Sequence, residues 1–213
     1  MLHEILHFFG RAICHQLEER SLQVSGEALV VCARDTGIYI GIFSTLLYLH
    51  LAKRRKSIKI PSIKTSLLLL LLLVPLMIDG LGSYSNVFES NNPRRLITGI
   101  AFGIVLPYFI YPLLSKNSLD KMSEPVVKSS KDLFIPLLIS FCFGVLFYFG
   151  QPAHLVLDIF LIFPLIGWFS LLVSLLFPFI QRVRLKWALS ITVSLAFLSL
   201  LSLAHVWIVS FTI

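Results

Sequence analysis

The chain has 213 residues, 57% of them hydrophobic and only 14% charged, with a net charge of +7 and a mean hydropathy of +0.88. Soluble domains carry about 25% charged residues, so this composition excludes a soluble fold with a fully wetted surface. The basic residues lie between apolar stretches, where membrane topology accounts for them and nucleic-acid binding is not needed. The expected partner is a lipid bilayer, with no nucleic acid.

The first residues, MLHEILHFFGRA, lack the basic start and uninterrupted apolar core of a secretory signal. Leu2, Ile5, Leu6, Phe9, Ile13 and Leu17 recur at helical spacing, and His3, Glu4, His7, Arg11, Cys14, His15 and Glu18 fill the other face. This pattern predicts an amphipathic helix over 2–18, either lying on the outer membrane surface or packed over the mouth of a bundle. Next comes VCARDTGIYIG (31–41), in which Cys32, Arg34 and Asp35 precede an apolar run. Six spans follow at the length needed to cross, about 20 residues: 36–52, 65–82, 95–114, 133–150, 154–178 and 187–210. Pro164 and Gly167 inside the fifth predict a kink, and Gly150-Gln151-Pro152 predicts a tight hairpin between the fourth and fifth.

Thirteen of the eighteen Lys and Arg residues fall in the first, third and fifth loops. Basic loops stay in the cytoplasm, which places both termini outside. The fold class is therefore all-α: a polytopic bundle of about six membrane helices plus an N-terminal amphipathic helix. It is expected as one integral membrane domain over 1–213, with residues 1–35 outside the membrane, in the cell membrane.

With that topology, Cys14, His15, Cys32, Arg34 and Asp35 gather on the outer side. So do Asp79, Asn91, Asn92, Arg94, Arg95 and Thr98, then Gln151, His154, Asp158 and His205, whereas the cytoplasmic half looks simple. Thiolate, imidazole and carboxylate all ligate zinc, so Cys14, His15, Cys32 and Asp35 are the candidate ligands for zinc or another divalent metal. A Cys14–Cys32 disulfide or two unrelated thiols are the alternatives. Asp79 with Arg94 and Arg95 reads either as an ion pair locking a helical hairpin or as an anion site with Asp79 as base. The candidate catalytic residues are Asp79, Asn92 and Arg95. His154 and Asp158, four residues apart, suit a metal pair, a proton relay or a helix cap. His3 and His7 fit an exposed polar helix face, and Cys142 fits core packing. No GxSxG, HExxH, phosphate loop or CxxC is present.

CHQLEERS (14–21), VCARDTGIYIG (31–41) and the segment from Asp79-Gly80 to NNPRRLITG (91–99) occur in that order. Together they resemble a domain-of-unknown-function family of small predicted multipass membrane proteins, mainly bacterial and archaeal. Its pattern is CHQ…ERS, CxRCTGIYxG and DG…N…R…TG. The resemblance covers about half of the chain. It carries over Cys14, His15, Gln16, Arg20, Ser21, Cys32, Arg34, Thr36, Gly37, Asp79, Gly80, Asn92, Arg95, Thr98 and Gly99. In the resemblance the family has cysteine where this chain has Asp35, so a dithiol with Cys32 is lost here, and a metal, if one stays, is held by a mixed set. The family implies no reaction. The residues suggest an outward-facing polar site near the bilayer surface, suited to a membrane-embedded or lipid-linked substrate. A small-solute or ion transporter is the rival, and a structural or accessory subunit is the third reading.

Overall fold

The computed structural model describes residues 1–53, 58–114, 123–150 and 153–212. Arg54, Arg55, Lys56, Lys116, Lys121, Gln151 and Pro152, used above for topology and for the hairpin, lie outside the described residues. The chain forms two compact units: Met1–Cys32 with Gln151–Ile213, and Ala33–Gly150.

In the first unit, α1 runs over Leu2–Arg11 and buries Leu6 and Gly10. It ends well before the expected residue 18. Gln16 takes φ 54°, a left-handed conformation no helix continues through. A 3₁₀ turn at Glu18–Arg20 leads into strands β1 (Ser21–Val24) and β2 (Glu27–Cys32), which pair antiparallel. This hairpin was not expected. Its turn is Ser25-Gly26, both at positive φ as such turns require. Its strands bury Leu22, Val24, Leu29, Val30 and Val31. The unit is completed by α7 (His154–Ser174) and α8 (Val183–Thr212), and α1 packs against both and against β2. The amphipathic helix therefore docks on protein.

In the second unit, α2 spans Ala33–Lys53 and α5 spans Asn92–Leu113. They cross closely because each carries glycines four apart: Gly37 and Gly41, Gly99 and Gly103. A Cβ on Gly99 would stand 2.2 Å from the Arg34 carbonyl oxygen, and one on Gly103 would stand 2.1 Å from that of Ile38. Only hydrogen fits there, the device by which membrane helices approach backbone to backbone. The expected 65–82 span is two helices, α3 (Ile63–Leu71) and α4 (Val74–Tyr84), broken before Pro75, which supplies no N–H to continue the first. Helix α6 (Lys131–Phe149) leaves Cys142 exposed rather than in the core. Short parallel strands β3 (Ile58–Lys59) and β4 (Glu124–Pro125) complete the unit. Leu49, Ile58, Leu69, Ile104, Val105, Tyr108 and Val126 make its core.

Among the described residues, five helical stretches are long and apolar enough to cross a membrane: Ile63–Tyr84, Asn92–Leu113, Lys131–Phe149, His154–Ser174 and Val183–Ser210. The expected first span is the exception. At 21 residues, α2 is long enough, about 31 Å, but Arg34, Asp35, His50 and Lys53 sit within it. It buries Thr36, Ser44 and Thr45, so it is solvated by protein more than by lipid. The chain is an all-α polytopic membrane protein with a small β-hairpin.

Candidate functional site

The thiol pair is assembled within the first unit. After α1 ends, the Cys14 N–H still bonds the Gly10 carbonyl at 3.1 Å, and the chain then reverses at Gln16. The Gln16 side chain donates to the carbonyls of His7 and Val30, both at 2.9 Å, and so ties the reversal to α1 and to β2. Ser21 donates to the Leu17 carbonyl at 3.1 Å and stands opposite Cys32 in the hairpin register. The result brings Cys32 beside Cys14. Cys14 is 6% exposed, and its sulfur accepts the N–H of Cys32 at 3.1 Å and of Gln16 at 3.4 Å. Such donors orient a sulfur and are the usual surroundings of a thiolate ligand. None of the three cysteines is joined in a disulfide among the described residues. His15 turns outward and sets its ring edge-on to His205, centroids 4.9 Å apart. It is not grouped with the thiols. Asp35 lies in the first turn of α2, in the other unit, where a carboxylate suits the helix N-terminus.

In the second unit Asp79 is fully buried. Arg34 Nη2 meets its Oδ2 at 2.6 Å, and Arg94 Nε meets Oδ1 at 3.1 Å. Ser90 donates to Oδ1 at 2.5 Å. Arg94 also lies over the Phe88 ring, 4.3 Å from its centroid. Asn91 caps α5 by accepting the Arg94 N–H at 3.0 Å, which fixes where that arginine starts. Asn92 and Arg95 pair with each other, Nη1 to Oδ1 at 3.3 Å. The aspartate's partners are thus Arg34 and Arg94, with Ser90. Sequence reasoning placed Arg34 on the same face but did not join it to Asp79. The sequence contained a signal, since VCARDTGIYIG supplies Arg34 and the segment that begins at Asp79-Gly80 supplies its partner.

A second buried cluster corrects the expectation of a simple opposite half. At the far end of α2, Lys53 is buried, with Nζ 2.9 Å from Asp132 Oδ1. The Tyr48 hydroxyl donates to the same oxygen at 2.6 Å, and the N–H groups of Lys128 and Ser129 donate to Oδ2 at 2.8 and 2.9 Å. The Tyr108 hydroxyl donates to the Asp132 carbonyl. Lys53, counted as a loop residue from the sequence, is an internal counter-ion.

A family profile described as "Predicted membrane protein (DUF2085)" matches residues 14–109. An uncharacterized protein of Methanothermobacter thermautotrophicus is 41% identical over 96 residues, 45% of this chain and 82% of its own length. An uncharacterized protein of Methanocaldococcus jannaschii is 34% identical over 101 residues, 47% of this chain and 63% of its own. The chain thus spans under two thirds of the Methanocaldococcus relative. No solved structure matches. The matched stretch contains Cys14, Cys32, Arg34, Asp79 and Arg94, while His3, His154 and Asp158 lie outside it.

Proposed function

We propose, for a chain that belongs to the DUF2085 family of predicted membrane proteins, a metal-binding role at the outer face of the cell membrane. Both termini lie outside the cytoplasm, as the basic loops favour. Cys14 and Cys32 supply two soft ligands for zinc or another divalent metal. The substrate class in this reading is membrane-embedded or lipid-linked; within the second unit, taken by itself, Asp79, Asn92 and Arg95 are the residues to examine for chemistry. One observation carries the metal reading: two thiols eighteen residues apart are drawn together by a Cys32 N–H···Sγ bond of 3.1 Å. Asp35, three residues beyond Cys32, is a ligand candidate by sequence spacing; the proposal rests on the two thiols.

The test is elemental analysis of protein purified in detergent, with Cys14→Ser and Cys32→Ser alongside. Zinc near one equivalent in the parent, lost in both variants, is the expected result. A Cys14–Cys32 disulfide in protein isolated under thiol-blocking conditions, with no metal, would overturn it.

A second reading has its own observation. Both oxygens of Asp79 are already engaged, by Arg34, Arg94 and Ser90. A carboxylate so saturated suits an accessory subunit whose polar groups lock helices together. Unchanged activity of any associated complex in Asp79→Asn protein that still folds would favour the structural role.

A further inference from the structure

The first unit holds another cluster, sharing no residue with the thiol pair. Asp158, in the second turn of α7, has no exposed surface. Its Oδ1 accepts the Val30 N–H at 3.1 Å. Its Oδ2 accepts no hydrogen bond among the described residues. Two imidazole nitrogens face that oxygen: His154 Nδ1 at 3.2 Å and His3 Nδ1 at 4.0 Å. Neither helix capping nor a solvated helix face describes this. The residue capping α7 is Ala153, with no side-chain bond, and the His3 ring is turned toward His154, centroids 5.8 Å apart.

The His154 ring fixes the chemistry. Its Nε2 lies 3.1 Å from the Ala28 carbonyl oxygen, which can only accept, so Nε2 carries a proton. In a neutral ring Nδ1 is then a lone pair. Two carboxylate oxygens lie close to it, Asp158 Oδ2 at 3.2 Å and Glu27 Oε2 at 3.6 Å. Acceptors facing one another this closely repel unless a cation stands between them. That cation is either a proton on Nδ1 or a metal ion. His7 adds weight to the second choice. Its buried Nε2 has no hydrogen-bond partner among the described residues, and its ring is 4.2 Å from that of His3.

We propose that His3, His154 and Asp158 bind a divalent transition-metal cation, for which zinc is the best fit. One ligand atom from each lies within 4.8 Å of the others. Ligand atoms around tetrahedral zinc stand about 3.4 Å apart, given bonds of about 2.1 Å. His154 and Asp158 already meet that separation. His3, half-exposed on α1, closes the remainder by turning its side chain. The outer contacts match those of metal sites: the ligating His donates its second N–H to a carbonyl, and the ligating carboxylate accepts a backbone N–H. Three protein ligands leave a fourth position for water.

Co²⁺ is the probe, added to chelator-stripped, full-length protein in detergent. Histidine and carboxylate ligands give visible d–d bands, whereas thiolates add near-ultraviolet sulfur-to-metal charge transfer. The expected result is that a Cys14→Ser/Cys32→Ser variant still takes up Co²⁺ without charge transfer. His3→Ala in that background should weaken uptake by about 100-fold or more, beyond what loss of an outer-shell contact costs. His3 is half-exposed, so the variant should keep its elution volume and melting temperature. Co²⁺ binding unaffected by His3→Ala overturns the proposal. So does no uptake by the folded thiol-free variant, which would leave a protonated His154 as the cation. Loss of only the charge-transfer band on removing the thiols would test the Cys14–Cys32 reading separately.

Discussion

Arg34 Nη2 sits 2.6 Å from Asp79 Oδ2, and the aspartate it meets has no exposed surface. The two residues are 45 positions apart, so their pairing ties the start of α2 to α4. A charge buried this deeply is tolerated only while it is paired.

Removing one partner should therefore cost more than a surface ion pair would. Asp79→Asn keeps the shape and leaves Arg34 and Arg94 without their counter-charge. The expected loss is about 3–5 kcal/mol, read as a fall in detergent melting temperature. A melting temperature equal to that of the parent would mean that water or lipid headgroups already neutralise the arginines.

At the other end of the same helix, Lys53 and Asp132 form a comparable pair, 8% and 6% exposed. Lys53→Met should cost about 3 kcal/mol. Combined with Asp132→Asn it should cost clearly less than the sum of the two single changes, because neither charge is then left alone. Strict additivity in thermal unfolding would show that the pair is not coupled.

The α2–α5 crossing depends on hydrogen at Gly103. Gly103→Ala places a methyl group 2.1 Å from the Ile38 carbonyl oxygen, so the helices must part. The cost should be about 1–3 kcal/mol. Gly167 is the internal control, since a Cβ there meets nothing within 4 Å. Gly167→Ala should be neutral or stabilising by up to about 1 kcal/mol. Equal effects at the two sites would remove the packing argument.

Topology has a direct check at the hairpin turn. Ser25 is exposed at the tip between β1 and β2. Ser25→Cys in intact cells should react with a membrane-impermeant maleimide above the background of the parent. Labelling that needs permeabilised cells would invert the orientation drawn from the basic loops.

Several elements were legible because their signal is local. The apolar spans ended within a few residues of where helices form, save at 175–178, where α7 stops at Ser174. The start of the chain was less legible. Apolar spacing continues through Ile13 and Leu17, but the backbone turns left-handed at Gln16, and α1 stops at Arg11. The β-hairpin carried a visible cue, Ser25-Gly26 before an apolar run, in the stretch between the expected helix over 2–18 and the expected span from 36, where no strand was assigned. The glycine pairs of α2 and α5 are likewise plain in the sequence; that they meet each other is not.

By itself, the sequence determined that this is a multipass membrane protein, because hydrocarbon selects runs of about 20 apolar residues whatever their neighbours are. It also gathered Cys14, Cys32, Arg34 and Asp79 as residues of interest. Only the tertiary structure decided which polar groups meet: Cys14 with Cys32, Asp79 with Arg34 and Arg94, Lys53 with Asp132, and Asp158 with residues as distant as Val30, 128 positions away. The physical reason is that a buried charge must find a partner wherever packing delivers one. That delivery depends on helix crossings and chain reversals, which hydropathy does not encode.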